Sequence, residues 1–239
     1  MSLTWESGAV FGAPGGRHRA LGYAVVAAVV TLLLWGQPWA AWLLYPLRIL
    51  VTLVHEGGHA LATLLTGGSV ERILVQPDAS GVTFSRGGWA LAIAPAGYMG
   101  AAAYGAVMLS LMRGSVAGRR ALYVSAALLG LLTLLFVRNL FGFAAGVVLT
   151  VGLAAGGRYL PPPGALFLSS FLAVQCCLNA LLDLLGLVFS TGLLPTGHND
   201  AVLMARLIPL PPIVWALLWS IASALLVWGA VRSLWNRTP

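Results

Sequence analysis

Leu50-Val51-Thr52-Leu53-Val54-His55-Glu56-Gly57-Gly58-His59-Ala60-Leu61-Ala62 lies inside an apolar stretch running from about Trp39 to Leu65. On a helix, His55 and His59 at i and i+4 project from one face, so their imidazoles can converge on a zinc ion while Glu56 is placed to act on water. Ionisable groups at bilayer depth are expensive and rarely present without a task. The plainer reading is a helix whose histidines are satisfied by neighbouring carbonyls. Against it, the chain has only four histidines, and two of them fall at ligand spacing around a glutamate.

Composition settles the solvent. With 59% hydrophobic residues, 8% charged residues and a mean hydropathy of +0.92, the chain cannot keep a soluble surface wet and is expected to be integral to a membrane. Its apolar runs are too long for barrel strands, so the fold class is all-α. Every one of the 13 cationic side chains is arginine, scattered over loops and span ends, and no basic stripe suggests nucleic acid.

The pattern predicts a polytopic bundle of about six to seven transmembrane helices, near 20–37, 41–66, 88–112, 120–137, 139–155, 165–190 and 211–231. Residues 1–19 form a polar N-terminal segment, and 20–239 a single membrane-embedded domain. The apolar run after Arg17, His18 and Arg19 reads as a retained anchor, since no small-residue cleavage site follows it. Only Arg138-Asn139 punctuates the 120–155 region, where two short spans joined tightly fit better than one long helix. The arginines split too evenly between the two sides to set an orientation.

After the histidine helix, Gly67-Gly68 suits a left-handed C-cap. The period then changes. Residues 70–76 alternate, Pro77-Asp78-Ala79-Ser80-Gly81 supplies turn chemistry, and Val82-Thr83-Phe84-Ser85 resumes β-branched and aromatic residues, which predicts a short β-hairpin. The alternative is an ordinary polar loop. Gly97, Ala101 and Gly105 recur every four residues, the small-residue pattern of closely packed membrane helices. Cys176 and Cys177 read as buried free thiols.

Gln175, Asn179 and Asp183 stand at i, i+4 and i+8 of an otherwise apolar span and form one polar stripe. His59 and Asp183 each fall about seven residues before the end of their spans, roughly 10 Å along the axis from the same membrane face. That makes Asp183 the preferred third metal ligand. Asp200, with His198 and Asn199 just before it, is the competitor, although an Asp at such a position more often caps a helix. Only one of the two carboxylates is expected, because catalytic zinc takes three protein ligands and leaves a position open.

These residues resemble the site-2 protease family of intramembrane zinc metallopeptidases, in its compact branch without a PDZ domain. The likeness rests on His55 to His59, the glycine-rich turn and hairpin, the Ala94-Pro95-Ala96-Gly97-Tyr98 segment, Cys177 to Asp183, and Asn199 to Ala201. The Leu-Asp-Gly signature of the third ligand in better-studied members is missing, which leaves Asp183 and Asp200 open.

The resemblance implies hydrolysis of a peptide bond within or near a transmembrane segment of a membrane-tethered protein, as in regulated intramembrane proteolysis. Zn2+ is the implied cofactor, with His55, His59 and one carboxylate as ligands and Glu56 as general base. Asn179 is a candidate oxyanion donor, or else a residue that binds helices together. The hairpin is expected to offer a free strand edge, sought along residues 70–76, to an extended substrate. With no separate substrate-selecting domain in view, selection is expected to fall to an accessory membrane protein. The lipid bilayer is the other partner, and the plasma membrane the expected location, with the hairpin facing the cytosol. The alternative function is a non-proteolytic scaffold or transporter-like relative that keeps a zinc site. Retention of Glu56 argues against it, since a structural zinc site has no use for a general base.

Overall fold

The computed structural model describes residues 16–35, 37, 39–112, 115–191 and 199–235. Helices α1 (Gly16–Trp35) and α2 (Ala40–Leu65) are followed by strands β1 (Ser69–Val75) and β2 (Gly81–Arg86). Then come α3 (Ala90–Ile93), α4 (Ala96–Leu111), α5 (Ser115–Phe136), α6 (Leu140–Tyr159), α7 (Pro162–Thr191), α8 (Asp200–Leu207) and α9 (Pro212–Trp235). Four of these helices are long and apolar enough to cross a membrane, within α5, α6, α7 and α9. The chain is a multi-pass membrane protein. Shorter apolar helices lie at Leu21–Leu34 and Ala96–Leu111.

The expected span at 88–112 is interrupted. Pro95 has no N–H to donate, so the helix breaks at Ala94-Pro95 into α3 and α4. The expected division at Arg138-Asn139 is present, with Val137–Asn139 joining α5 to α6. Arg138 folds back on the end of α5, donating from Nη1 to Val137 O at 2.9 Å and to Leu134 O at 3.2 Å, and from Nη2 to Leu135 O. Its cation thus meets carbonyls that the helix end leaves unpaired.

Helix α7 is the centre of the bundle. Two thirds (67%) of its apolar window is buried, against 22–28% for the windows of α5, α6 and α9, whose remaining surface is left to lipid. Gly105 permits the close approach of α4 to α7, because a Cβ there would lie 2.6 Å from both Ala173 O and Cys177 Sγ. The polar stripe of α7 is partly spent on packing. Asn179 Nδ2 donates to Gln175 O at 2.9 Å and to Gln175 Oε1 at 3.2 Å, and Gln175 donates to Thr31 of α1.

The hairpin forms as the turn chemistry requires. At the end of α2, Gly67 takes φ +80°, Gly68 N–H donates to Thr63 O at 2.9 Å and Gly67 N–H to Leu64 O at 3.2 Å, the paired bonds of a left-handed helix stop. Strands β1 and β2 pair antiparallel, with Ile73 opposite Thr83 and Val75 opposite Gly81. A bulge between Val70 and Arg72 accounts for the imperfect alternation of the first strand. Past it, Ile73 and Val75 are fully buried, in the same core cluster as Leu53, Leu122 and Val137.

The outer edge of β1 is not free, contrary to the expectation for residues 70–76. Ile73 O accepts from Arg138 N–H at 3.0 Å, Val75 N–H donates to Asn139 Oδ1 at 3.1 Å, and Val75 O accepts from Asn139 Nδ2 at 2.6 Å. The residues that punctuate α5 and α6 therefore act as a third strand in miniature. Since Ile73 and Val75 direct their backbone groups outward to these partners, strand alternation turns those of Thr83 outward on the opposite edge, at β2.

Candidate metal centre and active site

Helix α2 supplies most of the site. Leu53 and Ala60 are buried on it, and Glu56 and His59 are buried too, at 4% and 8% exposure. His55 and His59 sit one turn apart with Nε2 atoms 3.1 Å from each other. The Oδ2 atom of Asp200 lies 3.3 Å from both. Three donors bound tetrahedrally at about 2.0–2.1 Å from zinc would stand about 3.3 Å apart. The observed triangle therefore has the dimensions of a metal site, and His55, His59 and Asp200 are its candidate ligands.

Two further features fit a metal. His59 Nδ1 is 2.7 Å from Ile93 O, a carbonyl that can only accept, so Nδ1 donates there and fixes the ring with Nε2 turned toward the other two donors. Ile93 is the last residue of α3, and a carbonyl at a helix end is available for this role. Gly97, on α4, supplies the wall: a Cβ there would lie 2.3 Å from His55 Nε2 and 2.5 Å from His59 Nε2, in the space an ion needs. Gly58 allows α4 to come so near, since its own Cβ would lie 2.2 Å from Ala96 O.

The carboxylate that the structure brings to the histidines is Asp200, whereas the sequence reading preferred Asp183. Equal depth did not translate into proximity. Asp183 is exposed on the wall of a neighbouring cavity and is not one of the three grouped donors. Asp200 is released from the expected capping role by its neighbour. Asn199 is the N-cap of α8, its Oδ1 accepting from Val202 N–H at 2.9 Å, and Asp200 as first helical residue turns its carboxylate to the imidazoles. Burial would raise the Asp200 carboxyl, but hydrogen bonds and charge from His55 and His59 outweigh it and hold the group below the usual carboxylate range. His198 lies outside the described residues.

A family comparison agrees with this geometry. The Peptidase M50B-like family model matches residues 23–230. The chain belongs to that family. It is a metallopeptidase, and membership implies an intramembrane one. No curated protein and no solved structure matches the chain.

In this M50B-like chain a cavity of about 310 Å³ opens beside the histidines, among α2, α4, α7 and the hairpin turn. His55, Glu56, Tyr98, Asn179 and Asp183 are among its lining residues, with Arg48 and Asp78 also contributing. Ser80 donates to Asp78 from its backbone at 2.9 Å and, with its side chain, holds that carboxyl below its ordinary value. Tyr98 stands edge-on to His55, ring centroids 4.5 Å apart, and stacks on Trp219 of α9.

Glu56 turns toward the hairpin, where Thr83 Oγ1 donates to its Oε2 at 2.6 Å. Two more bonds fasten the hairpin turn to α2, from Tyr45 Oη to Pro77 O at 2.5 Å and from Thr52 Oγ1 to Ala79 O at 2.7 Å. Sequence reasoning missed Thr83, which looked like one more β-branched strand residue, and gave Gly97 a place in helix packing and in the family-like Ala94–Tyr98 segment without placing it at the metal site. Asn179 lines the cavity, but its amide nitrogen donates to Gln175 oxygens.

Proposed function

We propose that the chain is an intramembrane zinc peptidase that hydrolyses a peptide bond within or beside a membrane-embedded segment of another protein, releasing its product from the membrane. The observation that carries this reading is the triangle of His55, His59 and Asp200 donors, walled by Gly97 and adjoining Glu56 at a polar-lined cavity. Zinc bound there would lower the pKa of a water and polarise the scissile carbonyl. Glu56 accepts the proton of the attacking water on its carboxylate and returns it to the amine nitrogen as the C–N bond breaks. Asp200 is the third ligand. Asp183 contributes to the cavity wall, and Asn179 helps bind α7 to itself and, through Gln175, to α1.

A transmembrane substrate hides its peptide bonds in helical hydrogen bonds and must be extended before cleavage. The outer edge of β2 is suited to hold it, because its backbone groups at Thr83 face away from β1 and lie on the strand that contacts Glu56. An accessory membrane protein would select the substrate, and the plasma membrane is the site of action we assign. Bound-metal stoichiometry together with cleavage of a single-span reporter tests the reading. One zinc per chain is expected, lost in His55→Ala and retained in Glu56→Gln, which does not cleave. Loss of zinc from a folded Glu56→Gln protein, or cleavage by it at the normal rate, would overturn the roles of the histidines and the glutamate.

A further inference from the structure

We infer that Thr83 is the positioning residue for Glu56, so that strand β2 sets the aim of the general base; this rests on the peptidase reading above. The carboxylate is held against the strand at two points. Thr83 Oγ1 donates to Oε2 at 2.6 Å and lies 3.2 Å from the Glu56 carbonyl oxygen. Gly81, two residues earlier on the same strand, presents bare backbone to the other side: a Cβ there would lie 2.7 Å from Oε1 and 2.8 Å from Cγ. The donor and the bare patch fall on one face because strand residues two apart share a face.

Such a device answers a physical need. A glutamate side chain has three rotatable bonds, and a base that samples several rotamers spends little time at its proton. The α2 backbone fixes only the Cα of Glu56. A hydroxyl donating to Oε2 fixes the plane of the group, and Oε1, which lies against the bare backbone of Gly81, is left to accept a proton. The donor is neutral, so it orients the carboxylate without the strong loss of basicity that an arginine or lysine partner would impose. The hairpin is itself pinned to α2 by Tyr45 and Thr52 and to the α5–α6 turn by Asn139, which gives the hydroxyl a stable anchor.

Thr83→Val, which removes the hydroxyl and keeps the shape, and Thr83→Ser, which keeps the hydroxyl, separate positioning from packing. With purified full-length protein and a single-span reporter whose helix is interrupted by glycine and proline, Thr83→Val should lower kcat by roughly tenfold, the strength of one hydrogen bond to a charged group. KM and zinc content should stay unchanged, and Thr83→Ser should recover most of the rate. A second readout needs neither metal nor turnover. In metal-free protein, Thr83→Val should lower Tm, and the same change made on a Glu56→Ala background should lower it by less than half as much. Full kcat in Thr83→Val, failure of Thr83→Ser to recover a lost rate, or equal Tm shifts on both backgrounds would overturn the inference. A wild-type protein that binds zinc but never cleaves the reporter would instead count against the peptidase reading, and the metal-free cycle would then decide the Thr83–Glu56 contact alone.

Discussion

Helix α2 meets α4 and the hairpin in opposite ways. Toward α4 the approach is closest at glycines, with Gly58 against the Ala96 backbone and Gly97 beside both imidazoles. Toward the hairpin it reaches out with Tyr45, Thr52 and Glu56, each in a hydrogen bond to a loop carbonyl or a strand hydroxyl. The first contact has no tolerance in it, because a single methyl group has nowhere to go. The second is a set of polar bonds, each worth about 1 kcal/mol when neutral, that can be lost one at a time while the others hold the hairpin. One side suits a metal, whose ligands must keep their distances, and the other suits a substrate.

The largest effect should come from the side without tolerance. Gly97→Ala is expected to abolish metal binding and cleavage together, since the added Cβ would fall 2.3 Å from His55 Nε2. Helix content by circular dichroism should remain near normal. Gly105→Ala, which crowds α7 far from the histidines, should lower stability while leaving the metal in place. Equal zinc content in Gly97→Ala and wild type would show that α4 can retreat, and the contrast between the two sides of α2 would fail.

Next in size is the choice of carboxylate. Asp200→Ala should lower zinc affinity by at least about a hundredfold, the outcome when one of three protein ligands is withdrawn, while Asp183→Ala should leave it within a few-fold. Asn199→Ala should cost about 1 kcal/mol of local stability through loss of the helix cap and should affect zinc only indirectly. Titration with a competing chelator measures all three. The reverse ranking would return the ligand to α7 and require another role for the carboxylate beside the histidines.

How far the sequence could foresee this depends on the range of the interaction. The histidine helix, its glycine stop, the hairpin and the Arg138-Asn139 division are local, written in spacing and turn chemistry, and the structure has them. Asp200 was visible as a candidate, yet its rank depended on where α8 begins relative to α2, and helical depth alone carries no lateral information. Thr83 and Gly97 act only across elements. Thr83 is of an ordinary type for a strand, and the small-residue repeat that includes Gly97 says that helices pack closely there without saying that imidazoles lie against it.

On the adjustable side the effects should be partial and specific to substrate. By alternation from Thr83, Ser85 also turns its backbone N–H to the outer edge of β2. Ser85→Pro removes that donor and should slow cleavage of a membrane-tethered reporter severalfold, with zinc content unchanged. Val75→Pro removes the donor to Asn139 instead, so its effect should appear as lost stability before lost activity. A protein that cleaves at full rate with Ser85→Pro installed would move substrate to another path.

The smallest effect on cleavage is expected at the closed edge. Asn139 replaces a paired strand with one side chain, accepting from Val75 N–H and donating to Val75 O. Asn139→Ala leaves both backbone groups in need of partners at a site where Val75 itself is fully buried, and should cost about 2 kcal/mol of stability. Cleavage at a temperature well below Tm should stay within about twofold, since β2 remains fastened to α2 through Thr83 and the turn. The distinction between the edges can also be read directly. If substrate pairs with β2, adding an extended peptide should slow amide exchange at Thr83 and Ser85 and leave Val75, whose N–H already donates to Asn139, unaffected. A change in exchange at Val75 on peptide addition, with none at Thr83 and Ser85, would mean that the Asn139 closure opens and that substrate uses β1.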